Sequence, residues 1–183
     1  MNNKELVAVF DQQAATYDEQ RSKTAPINQG LHFLLESVFA QLPDNARIIC
    51  VRAGTGADLI HLAKRFPRWS FTAVEPARGM LQACKQRAEK EKIADRCVFF
   101  EGYVDALLTT DPYDAATCFL VSQFLMQRDD RVNFFRSIAQ KNFFLKGYWQ
   151  VQISHQRLDR PNTAHLFLSG QTCCQLPELR LKF

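Results

Sequence analysis

The sequence predicts an α/β protein built on a doubly wound parallel sheet, with helices on both faces of the strands. Three observations carry this prediction: short apolar runs alternate with amphipathic helical segments, a glycine turn follows the first run, and the pattern continues to about residue 140. Alternation at this spacing is typical of βαβ units. Strands of a parallel sheet are covered on both faces, which explains why the runs are continuously apolar.

The first elements of this pattern surround the glycine turn. The spacing of apolar residues predicts a helix over 31–42, ended by the Pro-Asp-Asn sequence at 43–45. A strand at 48–51 follows, and the turn at 54–56 opens a helix over 59–66. The remaining predicted elements are a strand at 69–74, a helix at 80–92, a strand at 97–101, a strand at 114–120 and an amphipathic helix around 132–138.

The regular pattern stops near residue 140, which divides the chain into a domain at 1–140 and an irregular tail at 141–183. The net charge of +4 follows the same division. The tail holds six basic and two acidic side chains, whereas residues 1–140 hold 17 of each. A basic surface attracts nucleic acid without regard to its sequence. Since the predicted domain is neutral, we predict no nucleic-acid partner.

Composition and cysteine spacing exclude several other classes of protein. No apolar run approaches the roughly 20 residues of a membrane helix, so no membrane partner is expected. The five apolar residues at 6–10 are too few for the core of a secretory signal. The six cysteines have neither the spacing of a metal site nor that of a disulfide framework. We therefore predict a cytoplasmic protein with reduced cysteines and no bound metal.

Two neighbouring strand ends form the candidate binding site. In an open parallel sheet, ligands bind at the carboxyl ends of the strands where the strand order reverses. The turn after the first strand reads Val-Arg-Ala-Gly-Thr-Gly at 51–56, and glycine lets the backbone approach a ligand closely. Glu75 ends the second strand, where its carboxylate is placed to accept hydrogen bonds from a ribose diol. Together these features predict a cofactor that contains a nucleoside.

Two such cofactors compete, a dinucleotide and S-adenosyl-L-methionine. The dinucleotide fingerprint requires a third glycine three residues after the second. Leu59 occupies that position, which disfavours a nicotinamide-dependent oxidoreductase.

From about residue 10 to residue 140 the chain resembles the class I S-adenosyl-L-methionine-dependent methyltransferases. The resemblance lies in FDQQAATYD at 10–18, the glycine turn, FTAVEPARGML at 71–81, EGYVD at 101–105 and PYDA at 112–115. It implies a Rossmann-like fold and methyl transfer, but its motifs are not specific for a substrate. We expect a small-molecule acceptor rather than a macromolecule. No catalytic base is predicted, because positioning against an activated sulfonium supplies most of the acceleration.

The resemblance also implies which residues bind the cofactor. Gly54 and Gly56 lie against its methionine part, and Glu75 holds the ribose hydroxyls. Met80 packs on the adenine, and Tyr17 closes over the cofactor from the N-terminal segment. For both residues, plain core packing is an equal alternative. The full predicted set is Tyr17, Ala53, Gly54, Thr55, Gly56, Glu75, Pro76, Met80, Tyr103 and Val104 at the adenine edge, and Leu120 and Val121 on the methyl-transfer side.

The chain departs from the family's glycine turn at two positions. Cys50 replaces an acidic residue, and Arg52 replaces the first glycine. An arginine side chain that points inward fills cofactor space or competes for the carboxylate, so we predict weakened or absent cofactor binding. The alternative to an active methyltransferase is therefore a non-catalytic remnant that keeps the fold without turnover.

The second departure is the tail, which shows none of the family's usual C-terminal strands. The amino-acid sequence can be back-translated into its possible codons and reread in the frame that starts two nucleotides later. In that frame, residues 147–156 permit a strand like the family's fifth strand, and residues 167–178 permit an amphipathic helix. We therefore hypothesise a frameshift near residue 140, which the nucleotide sequence tests directly. Without a fifth strand, residues 115–119 form an uncovered sheet edge, and self-association through that edge is expected.

Overall fold

The structure is a computed structural model that describes residues 3–109, 111–141, 150–155, 163–167 and 179–182. Its helices are α1 (Asn3–Gln13), α2 (Tyr17–Arg21), α3 (Ala25–Phe39), α4 (Ala57–Arg65), α5 (Arg78–Lys90) and α6 (Arg128–Ala139). Its strands are β1 (Arg47–Val51), β2 (Ser70–Glu75), β3 (Cys97–Glu101), β4 (Ala115–Phe119), β5 (Gln150–His155), β6 (Thr163–Phe167) and β7 (Leu179–Lys182). None of the described helices is long and apolar enough to cross a membrane.

The strands form one sheet in the order β3-β2-β1-β4-β5-β6-β7. The pairs from β3 to β5 are parallel, and β6 and β7 continue the sheet as antiparallel strands. The predicted α/β class with a Rossmann-like parallel sheet is thereby confirmed. The order reverses between β1 and β4, so the carboxyl ends of these two strands mark the place where such sheets bind ligands.

The predicted uncovered edge at residues 115–119 is wrong, because β4 pairs with β5 from Ala116 opposite Gln150 to Phe119 opposite Ile153. The sequence at 150–155 alternates polar and apolar residues, which is the period of a strand. The tail beyond about residue 140 was predicted to be irregular, so no strand was expected there. Of the reread stretches, 147–156 contains the described strand β5 at 150–155, whereas 167–178 lies outside the described residues except for residue 167.

The core lies on both faces of the sheet. Alternate residues of β1 point to opposite faces, as the strand period requires. Ile48 packs in a cluster with Phe39 and Leu62 of the covering helices, whereas Ile49 packs in a second cluster with Tyr113 and Ile138. All six of these side chains are buried, which accounts for the continuously apolar sequence of β1.

Three buried or half-buried thiols give the fold a dependence on alkaline pH. Burial raises the pKa of Cys84 and Cys118 to about 12 and that of Cys97 to about 11. A raised pKa in the folded state contributes stability below the ordinary thiol pKa, and this contribution is lost as pH rises towards these values. We expect the free energy of unfolding to fall from about pH 9 upwards. Denaturant titrations should show a shallower fall for the Cys84→Ala/Cys118→Ala double variant, and equal slopes would contradict this account.

Candidate functional site

A cleft of about 440 Å³ opens at the carboxyl ends of β1, β2 and β4, with the three N-terminal helices on its other side. Its position is that of the ligand crevice in doubly wound sheets. The glycine turn, the end of β2 and the segment after β4 all contribute to its lining. The strand ends that the sequence singled out therefore meet at one site.

The glycine turn has a backbone conformation that favours glycine. Gly54 and Gly56 have φ values of +56° and +80°, in the left-handed region. A side chain on Gly56 would collide with Sγ of Cys84, so this glycine is required for packing against α5. The space where Gly54 would carry a Cβ holds no atom within 4 Å. The turn is thus closed on the helix side at Gly56 and open at Gly54.

Glu75 connects the end of β2 to this turn. Its carboxylate is 5% exposed and accepts hydrogen bonds from the backbone N–H of Gly54 at 3.0 Å and of Ala77 at 2.9 Å. Burial raises the pKa of this carboxyl, and the two backbone donors and the nearby Arg52 guanidinium oppose the rise. Each carboxylate oxygen has a second lone pair, so Glu75 can accept further hydrogen bonds from a ligand.

Arg52 lies across the cleft in a way that the sequence could only partly predict. Its φ of 57° is left-handed, the conformation expected of the glycine it replaces. Its guanidinium carbon lies 5.0 Å from the ring centroid of Tyr103, at cation–π distance. Tyr103 follows β3, and β2 separates β3 from β1 in the sheet. To reach that ring, the Arg52 side chain extends over the end of β2, where Glu75 lies.

The N-terminal segment is attached to the glycine turn through Asp18. Thr55 Oγ1 donates a hydrogen bond to Asp18 Oδ1 at 2.6 Å, and Arg87 donates to Asp18 Oδ2 at 2.9 Å. Arg87 also donates to the backbone oxygen of Thr55 at 3.2 Å. Farther along, the backbone N–H of Gly79 donates to Asp11 at 2.6 Å. Two aspartates thus hold α1 and α2 over the cleft.

Asp18→Ala should loosen this segment. Asp18 is half exposed, so losing its contacts with Thr55 and Arg87 costs about 1 kcal/mol, which raises the population of the opened segment about fivefold. Limited trypsin digestion should then cut faster after Arg21 and Lys23, whereas the control Glu19→Ala, at an exposed neighbour, should digest at the wild-type rate. Equal rates for Asp18→Ala and the wild type would show that Asp18 does not hold the segment.

The sequence model described as "Methyltransferase domain" matches residues 48–141, which is just over half of the chain. The chain belongs to the methyltransferase domain family. Membership confirms the resemblance and, with it, S-adenosyl-L-methionine as the cofactor of the family. No curated protein matches the chain in sequence.

Solved structures of similar fold include three methyltransferase relatives. One from Methanococcus maripaludis, proposed to depend on S-adenosyl-L-methionine, has a TM-score of 0.63 and 23% identity over 79% of this chain and 63% of its own. A proposed O-methyltransferase from Nostoc punctiforme has a TM-score of 0.63 and 14% identity over 79% and 40% of the two chains. Geranyl diphosphate C-methyltransferase from Streptomyces coelicolor has a TM-score of 0.58 and 14% identity over 71% and 47%. This chain thus spans less than two thirds of their lengths, and the likeness is one of fold.

The methyltransferase domain brings most of the predicted site residues to the cleft. The lining contains Tyr17, Ala53, Gly54, Thr55, Glu75, Met80, Leu120 and Val121. Four predicted residues are not part of it. Gly56 faces Cys84, Val104 is buried in the second core cluster, Tyr103 lies beside Arg52, and Pro76 follows Glu75 in the chain.

Other lining residues of the methyltransferase domain were not predicted. Arg21 donates to the Tyr17 hydroxyl at 2.9 Å and to the Asn28 side-chain oxygen at 3.2 Å, and both partners are uncharged. His32 also lines the cleft, where its Nε2 lies 3.1 Å from Asp58 Oδ1 and its ring stacks on that of His61. The lining residues of α3 occur at 25, 28, 29, 31 and 32, and the spacing of 25, 28, 29 and 32 marks one helical face.

Proposed function

We propose that this chain is an S-adenosyl-L-methionine-dependent methyltransferase for a small-molecule acceptor, with cofactor binding weakened by Arg52. The observation that carries the proposal is the buried Glu75 carboxylate, tied to Gly54 at the switch point of a methyltransferase domain. The cofactor supplies a methyl group activated by a sulfonium. The chain's own residues then need to bind and orient the two reactants.

The residues present fit most parts of this cofactor. The free lone pairs of Glu75 suit the two ribose hydroxyls, and the open space at Gly54 suits a chain lying against the backbone. Met80 is buried and reaches the lining, where it offers an apolar surface to a base. Arg21, which donates hydrogen bonds to the uncharged side chains of Tyr17 and Asn28, suits the carboxylate of the methionine part.

Arg52 fits the cofactor poorly and favours the second candidate function. Its side chain lines the cleft and reaches Tyr103, which follows the strand next to that of Glu75, and its charge acts on the carboxylate that would hold a ribose. A chain that keeps the fold but binds cofactor weakly would be a non-catalytic remnant. The two candidates differ in turnover, because only the enzyme converts S-adenosyl-L-methionine to S-adenosylhomocysteine in the presence of an acceptor.

Two further observations support a small-molecule acceptor and a cytoplasmic location. The N-terminal helices are held over the cleft by Asp18 and Asp11, which leaves an enclosed space suited to a small molecule. The four cysteines among residues with described side chains are free thiols, as in a reducing compartment.

The test is a calorimetric titration of the full chain with S-adenosylhomocysteine, followed by an assay of its formation from S-adenosyl-L-methionine. Saturable heat is expected from the wild type, with an affinity that improves when Arg52 is replaced. Absence of binding by both forms would overturn the proposal. Binding without turnover across a panel of uncharged hydroxyl compounds would support the remnant.

A further inference from the structure

The lining of the cleft divides into a charged part and an apolar part. Its charged side chains come from α2, α4, α5 and the ends of β1 and β2. The part contributed by α1 and residues 119–125 is here called the apolar wall. It consists of Leu6, Phe10, Phe119, Leu120, Val121, Phe124 and Leu125 together with Gln123. Among the described residues, Gln123 is thus the only polar side chain that the apolar wall contributes to the lining.

Aromatic contacts hold the two segments of the apolar wall together. The Phe10 ring lies 5.6 Å from the Phe124 ring at an interplanar angle of 89°, and 6.2 Å from the Tyr17 ring at 72°. Both are edge-to-face arrangements, which aromatic pairs prefer. The three rings therefore connect α1 and α2 to the segment after β4 and present a preformed surface for an apolar ligand.

The apolar surface continues beyond the cleft at residues 124–126. Phe124 and Met126 are 40% and 78% exposed. The backbone there is fixed by Arg131, which donates hydrogen bonds to the carbonyl oxygens of Leu125 at 2.6 Å and Met126 at 3.0 Å. Exposed apolar side chains on a fixed segment beside a cleft are typical of a ligand entrance.

Gln123 carries an unused hydrogen-bonding group in this apolar surrounding. Its Oε1 atom is buried and accepts no hydrogen bond. A buried amide oxygen without a donor is costly, and such groups in native structures call for an explanation. Because Oε1 accepts no hydrogen bond, the Gln123 side chain can turn this atom towards the cleft without breaking one. A hydroxyl brought by a ligand would satisfy it.

We propose that the apolar wall binds an uncharged acceptor with an apolar, ring-sized body and one hydroxyl group, whose hydrogen bond Gln123 accepts. The inference rests on the proposed function, since it names the acceptor class of the same cleft. A phosphorylated or carboxylated acceptor is disfavoured, because the apolar wall offers no charged partner within the described part of the chain. Gln123 is then a positioning residue that selects for the hydroxyl.

The test compares two probes that differ only at the hydroxyl, 2-naphthol and 2-methoxynaphthalene. Each is titrated into the full chain by its fluorescence, with and without S-adenosylhomocysteine. The wild type should prefer 2-naphthol by about tenfold, the usual worth of one good hydrogen bond. Gln123→Leu should bind both probes equally. The control Gln86→Leu, at an exposed position on α5, should keep the preference.

Thermal unfolding checks that the Gln123 variants are folded. Gln123→Leu should melt at or above the wild-type temperature, because an apolar side chain of similar size replaces an unpaired amide. Gln123→Met serves as a second variant if the leucine form does not fold. Equal binding of the probes by the wild type, a preference that survives in the variant, or no binding of either probe would each overturn the acceptor class. A failed S-adenosylhomocysteine titration would instead count against the proposed function, so the two failures are distinguishable.

Discussion

Arg52→Gly is expected to raise the affinity for S-adenosylhomocysteine by about tenfold or more, since each tenfold corresponds to about 1.4 kcal/mol. Two effects act in the same direction. The substitution removes a side chain that lines the cleft and reaches Tyr103, and it removes a positive charge that acts on the Glu75 carboxylate. Calorimetry on both forms measures the ratio of the two affinities.

The chain offers a matched control for this substitution at Lys92. Arg52 and Lys92 both have a φ of 57°, and Lys92 is exposed outside the cleft lining. Lys92→Gly therefore relieves the same left-handed strain, about 1–2 kcal/mol, without changing the site. It should stabilise the fold and leave cofactor affinity at the wild-type value. If Lys92→Gly raised affinity as much as Arg52→Gly, the effect would belong to stability and not to the cleft.

Glu75→Gln is expected to lower the affinity for S-adenosylhomocysteine by about a hundredfold or more. The carboxylate can receive two ribose hydroxyls in addition to the N–H groups of Gly54 and Ala77, whereas an amide replaces one acceptor with a donor. Hydrogen bonds to a charged group contribute about 1.5–3 kcal/mol each, so losing one and weakening the other, which then involves an uncharged oxygen, gives an effect of this size. The measurement is made in the Arg52→Gly background, where binding is strong enough to quantify the loss.

Glu101→Gln is the control for that loss. Glu101 pairs in register with Glu75 at the end of the neighbouring strand, but its side chain is exposed. Its substitution changes charge at the same sheet edge without touching the cleft lining. Thermal unfolding establishes that both variants are folded. An equal loss of affinity in the two variants would contradict a specific role for Glu75.

The central fold could be predicted from the sequence because its strands are buried on both faces. The predicted strand at 48–51 corresponds to β1 (Arg47–Val51), and the one at 69–74 to β2 (Ser70–Glu75). The helices α1 and α2 were not predicted, since their positions depend on contacts distant in sequence, such as Asp18 with Arg87. The strand β5 was missed although it alternates polar and apolar residues, because the chain beyond residue 140 was predicted to be an irregular tail. The division at residue 140 stays a prediction.

The candidate site was predictable where a turn or a strand end fixes the side chain. Gly54 and Glu75 lie at such positions, and they are joined by a hydrogen bond in the cleft. Arg21 and Gln123 were missed, because nothing local to their sequence indicates that helix packing brings them to the same space. The direction of the Arg52 side chain was likewise unknown until Tyr103 was located beside it.

The most direct test of the account is a pair of titrations of Arg52→Gly, one with S-adenosylhomocysteine and one with NAD⁺. The account holds that the cleft of this methyltransferase domain is shaped for S-adenosyl-L-methionine and that Arg52 obstructs it. It predicts saturable one-to-one binding of S-adenosylhomocysteine and no binding of NAD⁺ at the same concentrations. Preferential binding of NAD⁺, or no binding of S-adenosylhomocysteine by the folded variant, would contradict it.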